Sequence, residues 1–265
     1  MPVAQVDDIA IFYEERGQGT PLLLLHGVGG SHANWLDHLE TLGASHRAIA
    51  WDSRGRGQTP AGARPLTIKQ FARDLHGLAQ ALRATPAVVL GTSMGGAIAI
   101  QFAVDYLEAI RALILLDTWA SPHMDFVAHF QRRIDLLDRG DLDAYVAHVV
   151  PTFYGSAYTR AHPDALADYR KRLEGLDVLV MKGLCRALME FDLQDRLGEI
   201  RVPTLVMVGG EDRLVPPFHS RSIHQRIARS RYVEIPECGH FPYLEKPAAF
   251  RKAVLSFLGD LSSHP

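Results

Sequence analysis

Length, composition and charge narrow the class of protein. The chain has 265 residues, 47% of them hydrophobic and 22% charged, which is ordinary globular usage and is enough for one sizeable core without disulfides or metals. Its 28 Lys and Arg residues against 30 Asp and Glu residues leave a net charge of −2, which excludes nucleic acid or an anionic membrane as the main partner on bulk electrostatic grounds.

The first residues predict strands rather than a targeting segment. Met1–Glu15 carries four acidic residues and no apolar core, unlike a signal peptide, and Val3–Glu15 predicts a meander of two antiparallel strands at a sheet edge. No apolar run approaches the ~20 residues of a membrane span. Cys185 and Cys238 have no metal-ligand spacing and are expected as free thiols, so the sequence predicts a soluble, cytoplasmic protein with no membrane partner. It does not indicate an oligomeric state.

Short apolar runs then alternate with longer amphipathic segments. The runs are typical of strands buried on both faces of a parallel sheet. They occupy Pro21–His26, Arg47–Trp51, Ala87–Gly91, Ala112–Leu116, Thr204–Val208 and Arg231–Ile235. Helical patterns occupy Ile68–Leu82, Gly96–Tyr106, His219–Ile227 and Ala248–Leu261. The alternation predicts an α/β fold with a mostly parallel eight-stranded sheet flanked by helices.

The alternation stops between Ser121 and Glu190 and resumes at Val202. Leucines and aromatic residues recur there at helical spacing, without a strand of the buried type. We therefore predict a core domain of residues 1–120 and 191–265, with residues 121–190 inserted as a helical cap. Because the insertion leaves the carboxyl end of a strand, its helices are expected to cover that end of the sheet and to shape a substrate pocket.

The strongest local pattern is Gly91-Thr92-Ser93-Met94-Gly95, a G-x-S-x-G sequence followed by Gly96. It lies between an apolar run and a predicted helix, which is the strand–turn–helix context of a nucleophile elbow. Such a turn strains the backbone of Ser93, so its neighbours two positions away must be small. The helix N-terminus also places free N–H groups near developing negative charge. Ser93 is therefore the predicted nucleophile.

A serine nucleophile needs a base, and the base needs an orienting acid. The chain order of this elbow is serine, acid, histidine. His240 combines a loop after a strand with a preceding glycine and the right order, and is the predicted base. Asp212, after the strand Thr204–Val208, is the predicted acid; Asp117, at the end of Ala112–Leu116, is the alternative. Both acids follow strand ends, where open α/β sheets bind ligands.

Acyl transfer also needs donors for an oxyanion. The backbone N–H of Met94, next to the nucleophile, is one predicted donor. The other is the N–H of Val28, in the glycine-rich loop His26–Gly30. His26 is expected to bond within this loop.

The remaining polar groups have structural interpretations. Asp52 and Arg54 are expected to form an ion pair. No HExxH motif or carboxylate cluster occurs, so we predict no metal and no cofactor. The predicted pocket residues are Trp119, Phe130, Phe153 and Phe241.

Jointly, five segments resemble the α/β-hydrolase superfamily, and the resemblance covers essentially the whole chain. They are HGVGG at His26–Gly30, DSRGRG at Asp52–Gly57, GTSMGG at Gly91–Gly96, GGEDRLVP at Gly209–Pro216 and CGHFPYLEKP at Cys238–Pro247. The resemblance implies the α/β-hydrolase fold and a Ser-Asp-His triad. Within the superfamily the chain is similar to small bacterial serine esterases, to enol-lactonases such as 3-oxoadipate enol-lactonase, and to carbon–carbon hydrolases of meta-cleavage products.

Hydrolysis of a carboxylic ester or (enol-)lactone through an acyl-enzyme on Ser93 is the reaction predicted from these features. Carbon–carbon hydrolysis of a meta-cleavage-type diketone is an alternative, although Thr92 replaces the asparagine of the GNSMGG motif in those enzymes and the oxyanion loop is shorter. A hydrolase-like small-molecule receptor with little turnover is a further alternative, as is a perhydrolase or cofactor-free oxygenase. The expected partner is a small-molecule ester, lactone or diketone.

Overall fold

The computed structural model describes residues 2–263 and places eight strands in one sheet. The strands are β1 (Val3–Val6), β2 (Ile9–Arg16), β3 (Pro21–Leu25), β4 (Arg47–Trp51), β5 (Ala87–Thr92), β6 (Ile110–Leu116), β7 (Thr204–Gly209) and β8 (Ser230–Ile235). Their order across the sheet is β1-β2-β4-β3-β5-β6-β7-β8. β2 pairs antiparallel with β1 and β4, and all the other pairs are parallel. The predicted fold class is confirmed.

Helices cover both faces of this sheet. They are α1 (Leu36–Gly43), α2 (Ile68–Ala81), α3 (Met94–Asp105), α4 (Met124–Asp138), α5 (Leu142–Val149), α6 (Ser156–Ala161), α7 (Ala165–Arg172), α8 (Val178–Glu190), α9 (Pro217–Arg226), α10 (Pro242–Glu245) and α11 (Pro247–Ser263). Because successive side chains of a strand point to opposite faces, Leu23 and Leu25 join one core with α2 and α3, whereas Leu22 and Leu24 join a second with α1 and α11. In the described chain, no helix has the length and apolarity needed to cross a membrane.

The chain between β6 and β7 contains five α-helices, α4 to α8. Within residues 121–190, all of which the structure describes, no strand occurs. Apolar side chains of α4 and α8, among them Phe126, Phe130 and Leu188, belong to the same buried cluster as Val89 and Leu115 of the sheet. The insertion therefore shares its core with one face of the sheet, while its role as a substrate-selecting cap stays a prediction.

Two details differ from the sequence analysis. Helix α1 was not predicted, although Ser31 and Asn34 form a capping box just before it. The predicted ion pair between Asp52 and Arg54 is wrong. The buried Arg54 guanidinium binds Asp74 and Asp8, both at 2.8–3.0 Å, because its side chain runs between α2 and the N-terminal hairpin. The Asp52 carboxylate instead accepts hydrogen bonds from His32 and the Gln58 amide.

Candidate active site

Ser93 occupies a strained turn between β5 and α3. Its φ of 53° and ψ of −119° lie outside the regions that L-residues favour, and such strain is found at sites of chemistry. A Cβ at Gly91 would lie 2.1 Å from the carbonyl oxygen of Gly95, and a Cβ at Gly95 would lie 2.4 Å from that of Leu25. Only glycine fits at both positions, which explains the flanking glycines of the G-x-S-x-G motif.

The neighbouring strand anchors this turn. The Ser93 amide donates to the carbonyl of Leu116 at 2.9 Å, and the Thr118 hydroxyl donates to the carbonyl of Ser93 at 2.8 Å. Gly96 is required here as well, because its Cβ would lie 2.5 Å from Cβ of Thr118. The nucleophile position is thus tied to the carboxyl end of β6.

Asp212 and His240 meet on the loops that follow β7 and β8. The loops can touch because Gly209 has no side chain: its Cβ would lie 1.9 Å from the Gly239 carbonyl oxygen. His240 Nδ1 donates to Asp212 Oδ2 at 2.7 Å. The other oxygen, Oδ1, accepts from the amides of Leu214 and Val215, each at 2.9 Å. This arrangement holds the imidazole with Nε2 as its acceptor nitrogen.

The Ser93 hydroxyl is the third member of the predicted triad. No hydrogen bond joins it to His240 among the described residues. Such contacts are often long in unliganded enzymes and shorten when substrate binds. Ser93 is 4% exposed and His240 1% exposed, so the site lies beneath the surface.

Asp117, the alternative acid, lies beside Asp212 rather than against the imidazole nitrogen. Its backbone is also strained, with φ of 47°, and its Oδ1 accepts from the Gly209 amide at 2.8 Å. Within the described chain its Oδ2 is buried without a partner. Burial, together with the negative charge of Asp212, raises the pKa of Asp117 well above its ordinary value. Burial beside Asp212 therefore favours the protonated form of the Asp117 carboxyl group.

Asp117, Asp212 and His240 each place one ligand atom within 4.8 Å of the others, and form the one such group found in the described residues. Both carboxylate oxygens of Asp212 are already engaged, by His240 and by two amides, and Asp117 Oδ1 binds the Gly209 amide. The chemistry of the Asp212–His240 contact is that of a hydrogen-bonded acid–base pair, and we assign no metal to this group.

The loop after β3 lies against the nucleophile. A Cβ at Gly27 would lie 3.2 Å from Cβ of Ser93. As the sequence predicts, His26 bonds within this region: its Nδ1 donates to the Gly27 carbonyl at 2.8 Å, and its Nε2 accepts from the Ser53 amide at 3.1 Å. Burial lowers the pKa of His26 to about 4, so the ring is neutral and serves as a brace. In the described chain, the N–H groups of Val28 and Met94 donate to no protein acceptor, as two oxyanion donors require.

A cavity opens from this loop toward the helices between β6 and β7. The sequence analysis predicted four pocket residues, and two of them, Phe153 and Phe241, line this cavity. Trp119 and Phe130 do not. Both are buried in the core, where Trp119 packs on Phe126 with ring centroids 4.5 Å apart and Phe130 packs on the same ring at 4.6 Å.

Most of the polar residues that line the cavity were not predicted from the sequence. The lining residues are Gly27, Val28, Gly29, Gly30, Asn34, Arg56, Phe153, Tyr154, Tyr169, Arg172, Leu173, Leu176, Met181, Phe241, Tyr243 and Leu244. The sequence offered one signal, the exposed-looking Arg56 of the DSRGRG segment, which the structure folds back onto the oxyanion loop. Tyr169, Arg172 and Tyr243 come from helices, and Tyr154 from the segment before α6, whose positions are set by tertiary packing.

Comparisons with known proteins identify the family of the fold. A relative from Variovorax paradoxus, provisionally named carbamate hydrolase RutD, is 31% identical over 96% of this chain and 97% of its own. Among solved structures, a thermophilic esterase from Thermogutta terrifontis superimposes with a TM-score of 0.89 at 27% identity, over 98% of this chain and 99% of that one. The enol-lactonase from Burkholderia xenovorans LB400 gives 0.89 at 28% identity, over 97% and 100%. The sequence model of the alpha/beta hydrolase fold matches residues 20–247, and the chain belongs to this family.

Proposed function

We propose that this protein hydrolyses a carboxylic ester or lactone through an acyl-enzyme on Ser93. Hydrolase activity as such is supported by the names of its relatives and by its fold. The observation that carries the finer proposal is the 2.7 Å contact between His240 and Asp212, on loops that meet beside a serine held at a strained turn. That combination activates a hydroxyl for acyl transfer.

Each step uses a group already described. His240 Nε2 accepts the hydroxyl proton while Ser93 Oγ bonds to the substrate carbonyl carbon, and the oxyanion takes hydrogen bonds from the Val28 and Met94 amides. When the carbon–oxygen bond breaks, His240 returns the proton to the leaving alcohol. A water molecule then attacks the acyl-enzyme with His240 again as base, which releases the acid and regenerates Ser93. Asp212 stabilises the imidazolium throughout.

A second candidate is the carbamate class, which stands in the provisional name of the relatives. The triad would act on a carbamate in the same way, with a carbamoyl group on Ser93. The two candidates differ in the acyl group alone, so substrate preference separates them.

Two measurements test the proposal. The first measurement compares three substrates: p-nitrophenyl acetate, a simple lactone and a p-nitrophenyl carbamate. Each is tested with the unmodified protein, with Ser93→Ala and with Ser45→Ala. Ser45→Ala is the control, because it alters an exposed serine outside the cavity. A serine-directed phosphonate is followed by peptide mass analysis. We expect turnover that Ser93→Ala abolishes and Ser45→Ala retains, with phosphonate on the Ser93 peptide. A single burst without turnover would favour the receptor alternative, and label on another residue would refute Ser93 as nucleophile.

A further inference from the structure

Arg133 is a buried cation with no anionic partner in the described part of the chain. Its side chain, on α4, is 0% exposed. Nε and Nη2 both donate to the Tyr145 hydroxyl, at 3.0 and 2.5 Å, and Nη1 has no hydrogen-bond partner. The rings of Phe130 and Tyr145 lie 4.8 and 5.3 Å from its guanidinium carbon. Buried charges in proteins are normally paired, so this charge is incompletely compensated.

Arg133 lies directly behind the cavity wall. Its Nη2 is 3.8 Å from the sulfur of Met181, and Met181 lines the cavity. Tyr169, another lining residue, is within electrostatic range of both Arg133 and Arg56. The field of Arg133 therefore reaches the cavity through a thin layer of low dielectric.

Arg56 adds a second cation on the cavity wall itself. Its Nε donates to the Gly30 carbonyl at 3.2 Å and its Nη2 to the Gly29 carbonyl at 2.6 Å. These neutral acceptors fix the guanidinium beside the oxyanion loop without cancelling its charge. Burial lowers the pKa of Arg56, in keeping with that lack of compensation. The carboxylate of Asp52 acts on it only through space, because its oxygens bind His32 and Gln58.

The charged residues in the lining of the cavity are all cations. Arg172, an exposed residue, contributes a second lining cation, and no Asp or Glu is among the residues that line the cavity. Arg56 and Arg172 make no ion pair with any described residue, although the surface of the same protein is rich in them, with Arg16, Arg47 and Arg64 all paired. With two cations in its lining, a third behind its wall and no acid in its lining, the cavity suits a ligand that carries negative charge.

We propose that the substrate carries a carboxylate, which the Arg56 guanidinium binds inside this cavity and the buried charge of Arg133 attracts. This inference rests on the proposed function and names its substrate class: an ester or lactone with a free acid group elsewhere in the molecule. Arg56 offers the planar donor geometry that matches a carboxylate. The tyrosines that line the cavity, Tyr154, Tyr169 and Tyr243, carry hydroxyl groups that can donate to the remaining lone pairs of that carboxylate. Arg133 acts as a positioning residue, because Met181 lies between it and the cavity.

The test compares two substrates that differ in one charge. The mono-p-nitrophenyl esters of glutaric and adipic acid carry a terminal carboxylate, and their methyl esters are neutral and otherwise alike. The readout is the ratio of kcat/KM for each charged ester to that for its neutral partner, after subtraction of the uncatalysed rate. We expect the charged ester of the better-fitting length to be preferred roughly thirtyfold or more, the usual scale for a buried charge pair.

Three variants locate the preference. Arg56→Gln and Arg133→Met are each expected to reduce the ratio at least tenfold. The ratio is the readout because Arg56 also binds the oxyanion loop, and a loss common to both esters cancels in the ratio. Arg132→Gln is the matched control, because Arg132 is the exposed neighbour of Arg133 on the same helix. If Arg133→Met does not fold, the decision rests on Arg56→Gln. Equal hydrolysis of both esters by the unmodified protein, or a preference that survives Arg56→Gln, would overturn the inference and leave the proposed function standing. Hydrolysis of neither ester, nor of p-nitrophenyl acetate, would count against the proposed function itself.

Discussion

Replacing Asp117 by asparagine distinguishes the two acids at the end of β6 and β7. Asparagine has the shape of a neutral carboxyl group, so Asp117→Asn keeps an acceptor for the Gly209 amide and puts N–H donors where a carboxylic acid has its proton. If Asp117 is neutral, as its burial beside Asp212 indicates, this change leaves the charge at the site unaltered. The same change at Asp212 removes the charge that faces His240 Nδ1 at 2.7 Å.

The expected magnitudes are far apart. Asp117→Asn should alter the barrier by less than ~1 kcal/mol, or about fivefold in kcat. Asp212→Asn should lower kcat by ~10⁴, because the imidazole loses its stabilising carboxylate and its correct tautomer. Asp117→Ala should reduce the free energy of unfolding by ~1–3 kcal/mol, because the buried Gly209 amide loses its acceptor.

The pH dependence of stability gives an independent check. In the unfolded chain Asp117 loses its proton near its ordinary pKa of 3.8, whereas the folded protein keeps that proton to higher pH. The free energy of unfolding of the unmodified protein therefore decreases as the pH rises above 3.8. The Asp117→Asn variant has no titrating group at this position and does not show this decrease. We expect the variant to gain stability relative to the unmodified protein between pH 4 and 7, measured by urea unfolding. A kcat for Asp117→Asn that falls by orders of magnitude, with Asp212→Asn near normal, would show that the acid has been misassigned.

Three further changes test other parts of the structure. Burial lowers the pKa of His26 from 6.5 to about 4, so the neutral ring contributes about 3 kcal/mol to the free energy of unfolding, and this contribution should be lost as the pH falls from 6.5 to 4. A His26→Gln variant should not show this loss. The same decrease in stability at acid pH in the variant would contradict the prediction. Gly95→Ala should cost more than ~4 kcal/mol or prevent folding, because its Cβ meets backbone at 2.4 Å, whereas Gly198→Ala, with open space around it, should be near neutral by thermal unfolding. Phe153→Ala should change the preference between short and long acyl esters, measured as the ratio of their kcat/KM values, by ~1–3 kcal/mol. Phe130→Ala should keep that preference and lower the free energy of unfolding by ~3–5 kcal/mol. The reverse pattern would mean that the cavity is misplaced.

The sheet and the residues at its strand ends were accessible from sequence because their signals are local. A strand buried on both faces needs a continuous apolar run, and the run Pro21–His26 shows one. The turn at Ser93 needs glycines two residues away, which appear in the sequence as G-x-S-x-G. Helix α1 was missed because it is only eight residues long and its capping box lies in a short 3₁₀ turn before it.

The cavity was not accessible because its walls come from the packing of separate helices. Trp119 follows a strand end, as a pocket residue would, yet it turns beneath α4 onto Phe126. Arg133 lies at helical spacing from Phe130 and Leu137, which distinguishes it from the exposed Arg132, but this spacing does not show that no acid pairs with it. The choice between Asp117 and Asp212 had the same origin, since both follow strands that are neighbours in the sheet.

The triad loops are not independent of the helical insertion that follows Trp119. The His240 amide donates to the Phe153 carbonyl at 2.6 Å, and the Glu245 carboxylate accepts at 2.9 Å from the amides of both Gly155 and Gly239. Glu211, next to Asp212, accepts from the Ser156 amide at 2.6 Å. One short segment, residues 153–156, therefore holds the loops of both the acid and the base, while the cavity lining extends from it through Phe153 and Tyr154. Because the same segment lines the cavity and binds the loop of His240, a displacement of this segment would also displace His240.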